Sequence, residues 1–527
     1  MVGTSDGVRR AGTASRAGTA SRAAAPVVVA GVVVAVLCLL PLAVVGVEAF
    51  DVGGQAAWAL VWRPRVGELL RNTGALVAVT VALTCVLGVG SAWLVERTTL
   101  PGARLWRVLM VCPLAVPAFV NSYAWVTVRP DLQGLGGAVL VTTLSYFPFV
   151  FLPVAAVLRG LDQGLEDSAR TLGLGPWRSF WRAVLPQLRP AILGGMLLVA
   201  LHLLSEFGVL AMLRFPTFTT AILEQFQVAF SNSAGSLLAV VLIALCVALL
   251  TAELLLRGSR RHARLGRGAA RRALPASLGR GTFPALGALT GLAALALGVP
   301  LGSLVYWFLA GGAAQIGATP TDLLATLWGT LRLALVAGAV TVVAAFPVAW
   351  LVARRRTWLS VLVERATYLS SALPGVVIAL ALVTLSVRYA RPVYQTSVVL
   401  VAAYTILFIP RAMVSIRAAM AHAPEELSEA ARALGDGPLR AFVRVVLPLT
   451  APGALAGFAM VFIATSTELT ATLLLAPTGT QTLATAFWSA SESIDYAGAA
   501  PYAAALVLVS APLTSLLLRQ PDQEPTP

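Results

Sequence analysis

Apolar stretches of about 20 residues, the length of helix that crosses the hydrocarbon core of a bilayer, recur along the whole of this 527-residue sequence. The clearest of them runs from Pro26 to Val47. Hydrophobic residues make up 58% of the chain and charged residues only 12%, whereas a soluble domain carries about 25% charged residues. The sequence therefore predicts an all-α protein that spans a membrane many times.

We predict about twelve transmembrane helices, six in each half of the chain. In order, they cover residues 26–47, 74–95, 108–128, 137–158, 190–213, 235–256, 283–309, 332–352, 366–387, 396–416, 452–475 and 501–518. The third and ninth are the least regular because prolines and polar residues interrupt them, which a helix bundle tolerates when neighbouring helices satisfy the freed backbone groups. The first apolar run is longer than that of a secretory signal peptide, so we expect an uncleaved first helix.

Basic residues fall mainly on one side of this predicted topology. All 38 of them are arginine, and the net charge is +15. If the N-terminus is cytoplasmic, 30 arginines lie in cytoplasmic segments and 8 in extracytoplasmic ones, as the positive-inside rule requires. We therefore expect a multi-pass protein of the cell membrane with both termini in the cytoplasm. Its basic charge is explained by topology, so we expect no nucleic-acid partner.

The two halves of the chain repeat one pattern. The run Ala92-Trp93-Leu94-Val95 recurs as Ala349-Trp350-Leu351-Val352, an offset of 257, and later matches such as Glu206 with Glu468 have an offset of 262. Because six spans are an even number, both halves enter the membrane in the same orientation. The result is a parallel repeat about an axis along the membrane normal.

The repeat divides the chain into five segments. We expect residues 1–25 to form a disordered cytoplasmic tail, 26–256 the first six-helix half, 257–281 a basic cytoplasmic linker, 282–518 the second six-helix half and 519–527 a C-terminal tail. The linker carries eight arginines among small residues, which is typical of a solvated segment that fixes the topology.

A loop between the fourth and fifth spans recurs between the tenth and eleventh. The first copy (165–186) contains Glu166, Asp167, Ala169, Arg170 and Gly173, and the second (427–448) contains Glu429, Ala430, Ala431, Arg432 and Gly435. Each copy predicts a short amphipathic helix with acidic residues near its start, where the helix dipole favours them. A glycine turn and a second helix begun by a proline follow. We expect Leu185-Pro186 and Leu447-Pro448 to break that second helix.

This pattern resembles the EAA loop of ABC importer permeases, which has an acidic residue and two alanines, a glycine four residues later and a Leu-Pro pair near its end. The second copy matches with Glu429-Ala430-Ala431 and Gly435, whereas the first has Asp167-Ser168-Ala169. The resemblance implies the type I ABC importer permease fold. It also implies that each loop is a coupling helix that docks on a separate ATPase subunit. The alternative for each loop is an amphipathic helix that only lies on the membrane surface.

The resemblance implies two copies of an ABC ATPase on the cytoplasmic face and an extracytoplasmic substrate-binding protein as partners. The usual phosphate loop for ATP needs a lysine after its glycines, and this sequence contains none. We therefore expect no catalytic residue, no enzymatic activity and no cofactor in this chain, with ATP bound by the partner.

The segment after the second loop resembles the ferric iron importer permeases, in the run from Thr467 to Pro477 and in Gln481-Thr482-Leu483-Ala484-Thr485. The resemblance implies that the substrate is ferric iron. Related fused permeases carry thiamine or phosphonates, so these remain alternative substrates. A secondary transporter with two six-helix halves, which needs no ATPase, is a second alternative.

Two equivalent acidic residues, Glu206 and Glu468, lie near the ends of the fifth and eleventh predicted spans. An ionisable residue inside a membrane is a functional hypothesis by default, and carboxylates are hard oxygen ligands of the kind a ferric ion prefers. We hypothesise that both glutamates face one central pathway. The alternative is that each is hydrogen-bonded and holds helices together. We expect His202, one turn before Glu206, to be a packed histidine, and the sequence assembles no histidine metal site.

Overall fold

The computed structural model describes residues 6–161, 171, 173, 175–227, 232–257, 275–310, 320–355, 357–370 and 373–518. Throughout these residues the regular structure is helical, and the only extended pairing is an isolated bridge between Thr98 and Ala276. The all-α fold predicted from the apolar periodicity is confirmed.

The helices of the first half of the chain are α1 (Asp6–Asp51), α2 (Gly54–Val61), α3 (Pro64–Arg97), α4 (Ala103–Val111), α5 (Ala118–Val128), α6 (Gly134–Tyr146), α7 (Pro148–Gly160), α8 (Pro176–Ser179), α9 (Leu185–Ser205), α10 (Gly208–Met212), α11 (Phe218–Gln227) and α12 (Asn232–Arg257). Those of the second half are α13 (Thr282–Ala293), α14 (Val299–Ala310), α15 (Pro320–Arg354), α16 (Trp358–Leu369), α17 (Gly375–Tyr389), α18 (Ser397–Ala421), α19 (Glu425–Ala433), α20 (Pro438–Ala441), α21 (Leu447–Ser466), α22 (Thr470–Leu475), α23 (Leu483–Glu492) and α24 (Tyr496–Leu518).

Within the described residues, nine helices are long and apolar enough to cross a membrane. A tenth candidate is the bent pair Ala103–Ala115 and Ala118–Val128, and two shorter apolar helices are Gly375–Tyr389 and Tyr496–Pro512. Each of the twelve predicted spans falls on one of these helices or on the bent pair. The chain is therefore a polytopic membrane protein, as the sequence predicts.

Prolines account for the two irregular spans. The third span bends by 91° between Ala115 and Ala118, and Pro117 is the residue immediately before α5. In the ninth span, α16 ends at Leu369 and Pro374 immediately precedes α17. Proline has no backbone N–H and a fixed φ, so it is well suited to the start of a helix.

The contacts divide the chain into two compact units. One contains Met1–Val44, Leu331–Thr465 and Leu474–Thr478, and the other contains Val45–Thr330, Ser466–Leu473 and Gly479–Pro527. In the first unit, Gly31 of α1 lies against Pro347 and Leu351 of α15, so the first helix of the chain packs with helices of the second half. The five segments predicted from the sequence repeat follow the order of the chain, and their boundaries stay a prediction.

Glycines allow close helix crossings at equivalent places in the two units. A Cβ atom at Gly195 of α9 would lie 2.9 Å from the Val150 Cα of α7. A Cβ atom at Gly457 of α21 would lie 3.2 Å from the Ala412 Cα of α18, one repeat later. Small residues allow membrane helices to approach closely, and van der Waals packing drives their association. The helix that follows each predicted coupling loop is therefore held tightly against the helix that precedes the loop.

Candidate coupling and translocation sites

The second predicted coupling loop forms the expected helix, turn and helix. Its first helix, α19, runs over Glu425–Ala433 and has Glu425 and Glu426 in its first turn. Gly435 then takes a φ of +100°, the left-handed conformation that a glycine adopts without steric cost. The Gly435 N–H donates to the Arg432 carbonyl over 3.1 Å, and the Asp436 N–H donates to the Ala431 carbonyl over 3.1 Å. These two bonds form a Schellman motif, which closes the helix and fixes the direction in which the chain leaves it.

The second coupling loop is largely exposed. No residue of α19 is buried, and Glu429 and Ala430 are exposed. Leu434 and Leu439 are 90% and 77% exposed. Exposed leucines grouped beside an acidic helix are unfavourable in water, and such apolar patches mark interaction sites. The loop therefore has the exposure that a docking surface requires.

Part of the first coupling loop is described. Glu166, Asp167, Ala169 and Arg170 lie outside the described residues. Gly173 has a φ of +80° and is exposed, so it matches Gly435 in conformation as well as in sequence.

The predicted helix break at the end of each loop is wrong. Residues Phe180–Val184 and Phe442–Val446 form π-helical turns that run directly into α9 and α21, so the helix continues through Pro186 and Pro448. A proline removes one hydrogen bond and clashes with the carbonyl four residues earlier. A π turn places one extra residue in that turn, which provides room for the ring without ending the helix.

Aromatic contacts attach each loop to the long second span of its own half. The Phe180 ring lies 6.5 Å from the Trp93 ring of α3, edge to face, and the Phe442 ring lies 5.5 Å from the Phe346 ring of α15, also edge to face. Such pairs are favourable at these separations. A force on either loop would therefore reach a membrane-spanning helix directly.

A buried carboxylate stabilises the base of the first loop. The Glu96 side chain, only 3% exposed, accepts two hydrogen bonds from Arg107 of α4, over 2.8 and 2.9 Å, and one from Arg159 of α7, over 3.1 Å. The ends of α3, α4 and α7 are thereby joined just before the loop begins. The sequence analysis did not identify this cluster, because its three members are far apart in the chain.

Glu206 and Glu468 lie where membrane helices are interrupted. We predicted continuous spans over 190–213 and 452–475, but α9 ends at Ser205, α21 ends at Ser466, and short helices begin at Gly208 and Thr470. Each glutamate caps the helix that follows it. Glu206 Oε1 accepts from the Val209 N–H over 3.1 Å, and Glu468 Oε1 accepts from the Ala471 N–H over 2.9 Å. A side-chain oxygen in this position satisfies one of the N–H groups that a helix start leaves free.

The two interruptions adjoin each other within one compact unit. A Cβ atom at Gly208 would lie 3.1 Å from Leu469 Cδ2 and 2.7 Å from Phe119 Cβ. At both helix breaks a threonine hydroxyl group bonds to the backbone of the glutamate. Thr219 donates to the Glu206 carbonyl over 2.6 Å, and Thr472 donates to the Glu468 carbonyl over 2.8 Å. The structure therefore brings a residue near each predicted pathway glutamate into contact, Gly208 with the Leu469 side chain.

Tyr146 is a site residue that the sequence analysis missed. Its hydroxyl group donates a hydrogen bond to Glu206 Oε2, and its ring lies 5.7 Å from the His202 ring. The available signal was a departure from the repeat, because the position 262 residues later is Phe408. His202 itself packs against Phe149 at 4.5 Å and pairs its Nδ1 with the Leu198 carbonyl over 2.9 Å.

The described residues contain no group of three or more His, Cys, Asp or Glu side chains that could hold a metal ion. What they contain is a pair of interrupted helices with a carboxylate at each break, and an exposed helix-turn-helix that is joined to the membrane spans. An interrupted helix places polar backbone groups at membrane depth, where they are tolerated only in protein or beside a water-filled cavity. These features define a transport protein of the membrane, built from two repeats.

The chain belongs to the binding-protein-dependent transport system inner membrane components, whose family model matches residues 86–261 and again residues 345–519. It is therefore a permease of the ABC importer class, and it works with a substrate-binding protein and an ATPase. It is 37% identical over 478 residues to the Fe(3+)-transport system permease protein FbpB 2 of Haemophilus influenzae, with 90% of this chain and 94% of that relative covered.

Two shorter relatives match about a third of the chain. The molybdenum transport system permease protein ModB of Escherichia coli is 31% identical over 199 residues, which is 33% of this chain and 87% of that protein. The sulfate transport system permease protein CysT of Escherichia coli is 30% identical over 191 residues, 33% of this chain and 69% of that protein. A permease that aligns over most of its own length with a third of this chain is what a fusion of two permease halves predicts.

Proposed function

We propose that this chain imports ferric iron, coupling the movement of the ion to ATP hydrolysis by a partner. The observation that carries the proposal is the identity of 37%, extending over 90% of the chain, to a permease named for Fe(3+) transport. The shorter relatives named for sulfate and molybdenum match only about a third of the chain. The arrangement of two carboxylates and a phenol near one pair of helix breaks agrees with the hard oxygen ligands that a ferric ion prefers.

The exposed loop with Glu429, Gly435 and Leu434 is the proposed docking surface for one ATPase subunit, and the loop around Gly173 is its counterpart for a second copy. ATP binds to those subunits, and this chain needs no cofactor of its own. When the two ATPase subunits close on ATP, they pull on both loops. The π turns and aromatic contacts carry that movement into α3, α9, α15 and α21, and the pathway opens to the other side of the membrane.

Glu206, Glu468 and Tyr146 are the proposed contacts for the ion along its path. Each glutamate uses one carboxylate oxygen, Oε1, as a helix cap, and a carboxylate has capacity for further bonds. A ferric ion that replaces the hydrogen bond between Tyr146 and Glu206 gains a carboxylate oxygen and, once the tyrosine releases its proton to water, a phenolate oxygen. The ion is substrate here and passes on, so it needs a weak and transient set of ligands rather than a closed site.

The proposed topology has both termini in the cytoplasm, supported by the arginine distribution. It is tested with a variant in which the four native cysteines are replaced by alanine and Ser21 is replaced by cysteine. A membrane-impermeant maleimide added to sealed inverted vesicles should label this residue, and the same reagent added to intact cells should not.

Uptake in proteoliposomes tests the function. Vesicles containing this chain, its ATPase and its binding protein receive radiolabelled ferric iron, with sulfate, molybdate, thiamine or a phosphonate as unlabelled competitors. We expect ATP-dependent iron uptake that none of these competitors lowers. An absence of iron uptake, or its inhibition by one of the competitors, would contradict the substrate assignment and leave the importer class intact, whereas uptake without ATP would contradict the coupling.

A further inference from the structure

A cavity of about 170 Å³ lies where α2 and the first turns of α3 meet α11 and α12. Arg63, Arg65 and Glu224 provide polar groups in its lining, and Leu69 and Leu237 are among its apolar residues. Leu69 is fully buried and Leu237 is 7% exposed. The cavity therefore combines charged groups with an apolar floor.

This cavity is at the end of α3 opposite the predicted coupling loop. Glu96, near the C-terminal end of α3, is bonded to Arg159 just before that loop. Val66, which lines the cavity, lies 30 residues earlier in the same helix, or about 45 Å at a rise of 1.5 Å per residue. The cavity is thus one full span away from the coupling loop.

Two tryptophans indicate that the cavity lies at the level of the lipid headgroups. Trp58 and Trp62, in and just after α2, are 67% and 69% exposed and lie 5.4 Å apart. Exposed tryptophan at the end of a membrane span is typical of the membrane–water interface. The spans that provide the floor are also largely uncovered by protein, since only 33% of the apolar window of Pro64–Arg97 and 22% of that of Ser233–Leu256 are buried.

The polar side of the cavity fits a phosphate group. Arginine binds phosphate through several donors at once. Arg65 is paired with Glu68 over 2.9 Å, but the two side chains are 52% and 39% exposed, and an exposed pair of this kind is weak. The N-terminus of α3 adds to the attraction, because it has no side-chain cap and no acidic residue in its first turn, so its dipole favours an anion.

From these features we propose that the cavity binds a membrane glycerophospholipid, with its phosphate at Arg63 and Arg65 and the upper part of one acyl chain against Leu238 and Val241, two partly exposed residues of the lining. Glu224, across the same cavity, is placed to pair with the ammonium group of an ethanolamine headgroup. A bound lipid would fill the cavity and join α2 and α3 to α11 and α12.

The test uses the full chain purified in detergent, delipidated and then incubated with palmitoyl-oleoyl phosphatidylethanolamine, with retained lipid counted by native mass spectrometry. We expect Arg63→Gln with Arg65→Gln to weaken retention about tenfold, the effect of losing one or two charge-assisted hydrogen bonds. Arg71→Gln is the matched control, because Arg71 is an exposed arginine of the same helix that does not line the cavity. Ala234→Trp, which fills the cavity and leaves both arginines in place, should also abolish retention.

Two results would overturn the proposal. Diacylglycerol, which has the same chains and no phosphate, should fail to compete, and equal competition would remove the role of the arginines. If the double arginine variant and Ala234→Trp both keep their lipid but lose stimulation by the binding protein, the surface belongs to that protein and not to a lipid.

Discussion

Tyr146 and Glu206, 60 residues apart in the chain, are joined by a hydrogen bond from the tyrosine hydroxyl group to the carboxylate. The second half of the chain has Phe408 at the position of this tyrosine, and a phenylalanine ring cannot donate such a bond. The hydroxyl group that bonds to Glu206 therefore has no counterpart at the equivalent position of the second repeat.

Two substitutions of Glu206 distinguish its role as a helix cap from the role of its negative charge. Glu206→Gln keeps a carbonyl oxygen for the Val209 N–H, so it should lower the melting temperature less than Glu206→Ala does, while iron uptake falls severalfold because the negative charge is lost. Glu206→Ala removes the cap as well and should cost about 1–2 kcal/mol of stability. Both are measured as uptake in proteoliposomes and thermal unfolding in detergent. Glu492→Gln, at an exposed helix end, is the control, and unchanged uptake in Glu206→Gln with Glu468→Gln would remove the pathway role.

The bond between Tyr146 and Glu206 is tested by a double-mutant cycle. Tyr146→Phe and Glu206→Gln should each lower stability, and the pair should lower it by less than the sum, because both remove the same hydrogen bond. A bond to a charged group contributes about 1.5–3 kcal/mol, and residues in contact couple by about 0.5–3 kcal/mol. Additive losses in thermal unfolding would mean that the two side chains act independently.

The turn of the second coupling loop depends on Gly435. Gly435→Val places a β-branched residue at a φ of +100°, a conformation that costs an ordinary residue about 1–2 kcal/mol. The loop should change direction, and stimulation of the ATPase by the loaded binding protein should be lost while the membrane helices stay folded. Gly437→Ala is the matched control, because Gly437 lies two residues away with a negative φ and open space around its Cα. Equal stimulation in the two variants would argue against the docking role.

Gly208 should tolerate no side chain. Gly208→Ala would bring a methyl group within 2.7 Å of Phe119 Cβ and 3.1 Å of Leu469 Cδ2, and overpacking of this kind costs about 1–3 kcal/mol. Gly90→Ala, in the interior of α3 with open space around it, should be neutral or stabilising, because alanine is the better helix former. Thermal unfolding of both variants in the same detergent makes the comparison. A stable Gly208→Ala protein would mean that the two helix breaks are not in close contact.

The Glu96 cluster should respond unequally to the loss of its two arginines. Arg107→Ala removes two hydrogen bonds to Glu96 and Arg159→Ala removes one. We expect the first variant to lose about 1–3 kcal/mol of stability and the second to lose less. Limited proteolysis of the adjoining loop, followed by mass spectrometry, should show faster cleavage in Arg107→Ala. Cleavage rates equal to that of the native protein in both variants would show that the cluster does not stabilise the base of the loop.

Much of the fold follows from apolar length and proline. Pro117 and Pro374 marked the two irregular spans, and in both places the structure starts a new helix directly after the proline. The glycine turn at Gly435 was also predictable. A glycine that lies between the end of an amphipathic helix and a proline is typical of a helix C-terminus. These features depend on neighbours in sequence, which a single sequence displays.

Other features depend on contacts that the sequence hides. The break at Glu206 was not predicted because Ser205, Glu206 and Gly208 interrupt an otherwise apolar run only briefly, and the cap bond to Val209 is visible only in the structure. The π turn before Pro186 was missed because a proline was expected to end the helix. Trp93 and Glu96 acquire their roles from partners that lie 63 or more residues further along the chain or on a separate helix.

The contact between Gly31 and Leu351 also limits how early the first unit can assemble during synthesis. The ribosome makes α1 before α15, and Leu351 is added 320 residues after Gly31. At a synthesis rate of about 5–20 residues per second, the first helix waits roughly 15 to 60 s in the bilayer for that partner. During this interval its packing surface is open to lipid and to other helices. The first unit can therefore assemble only after helices of the second half of the chain have begun to enter the membrane.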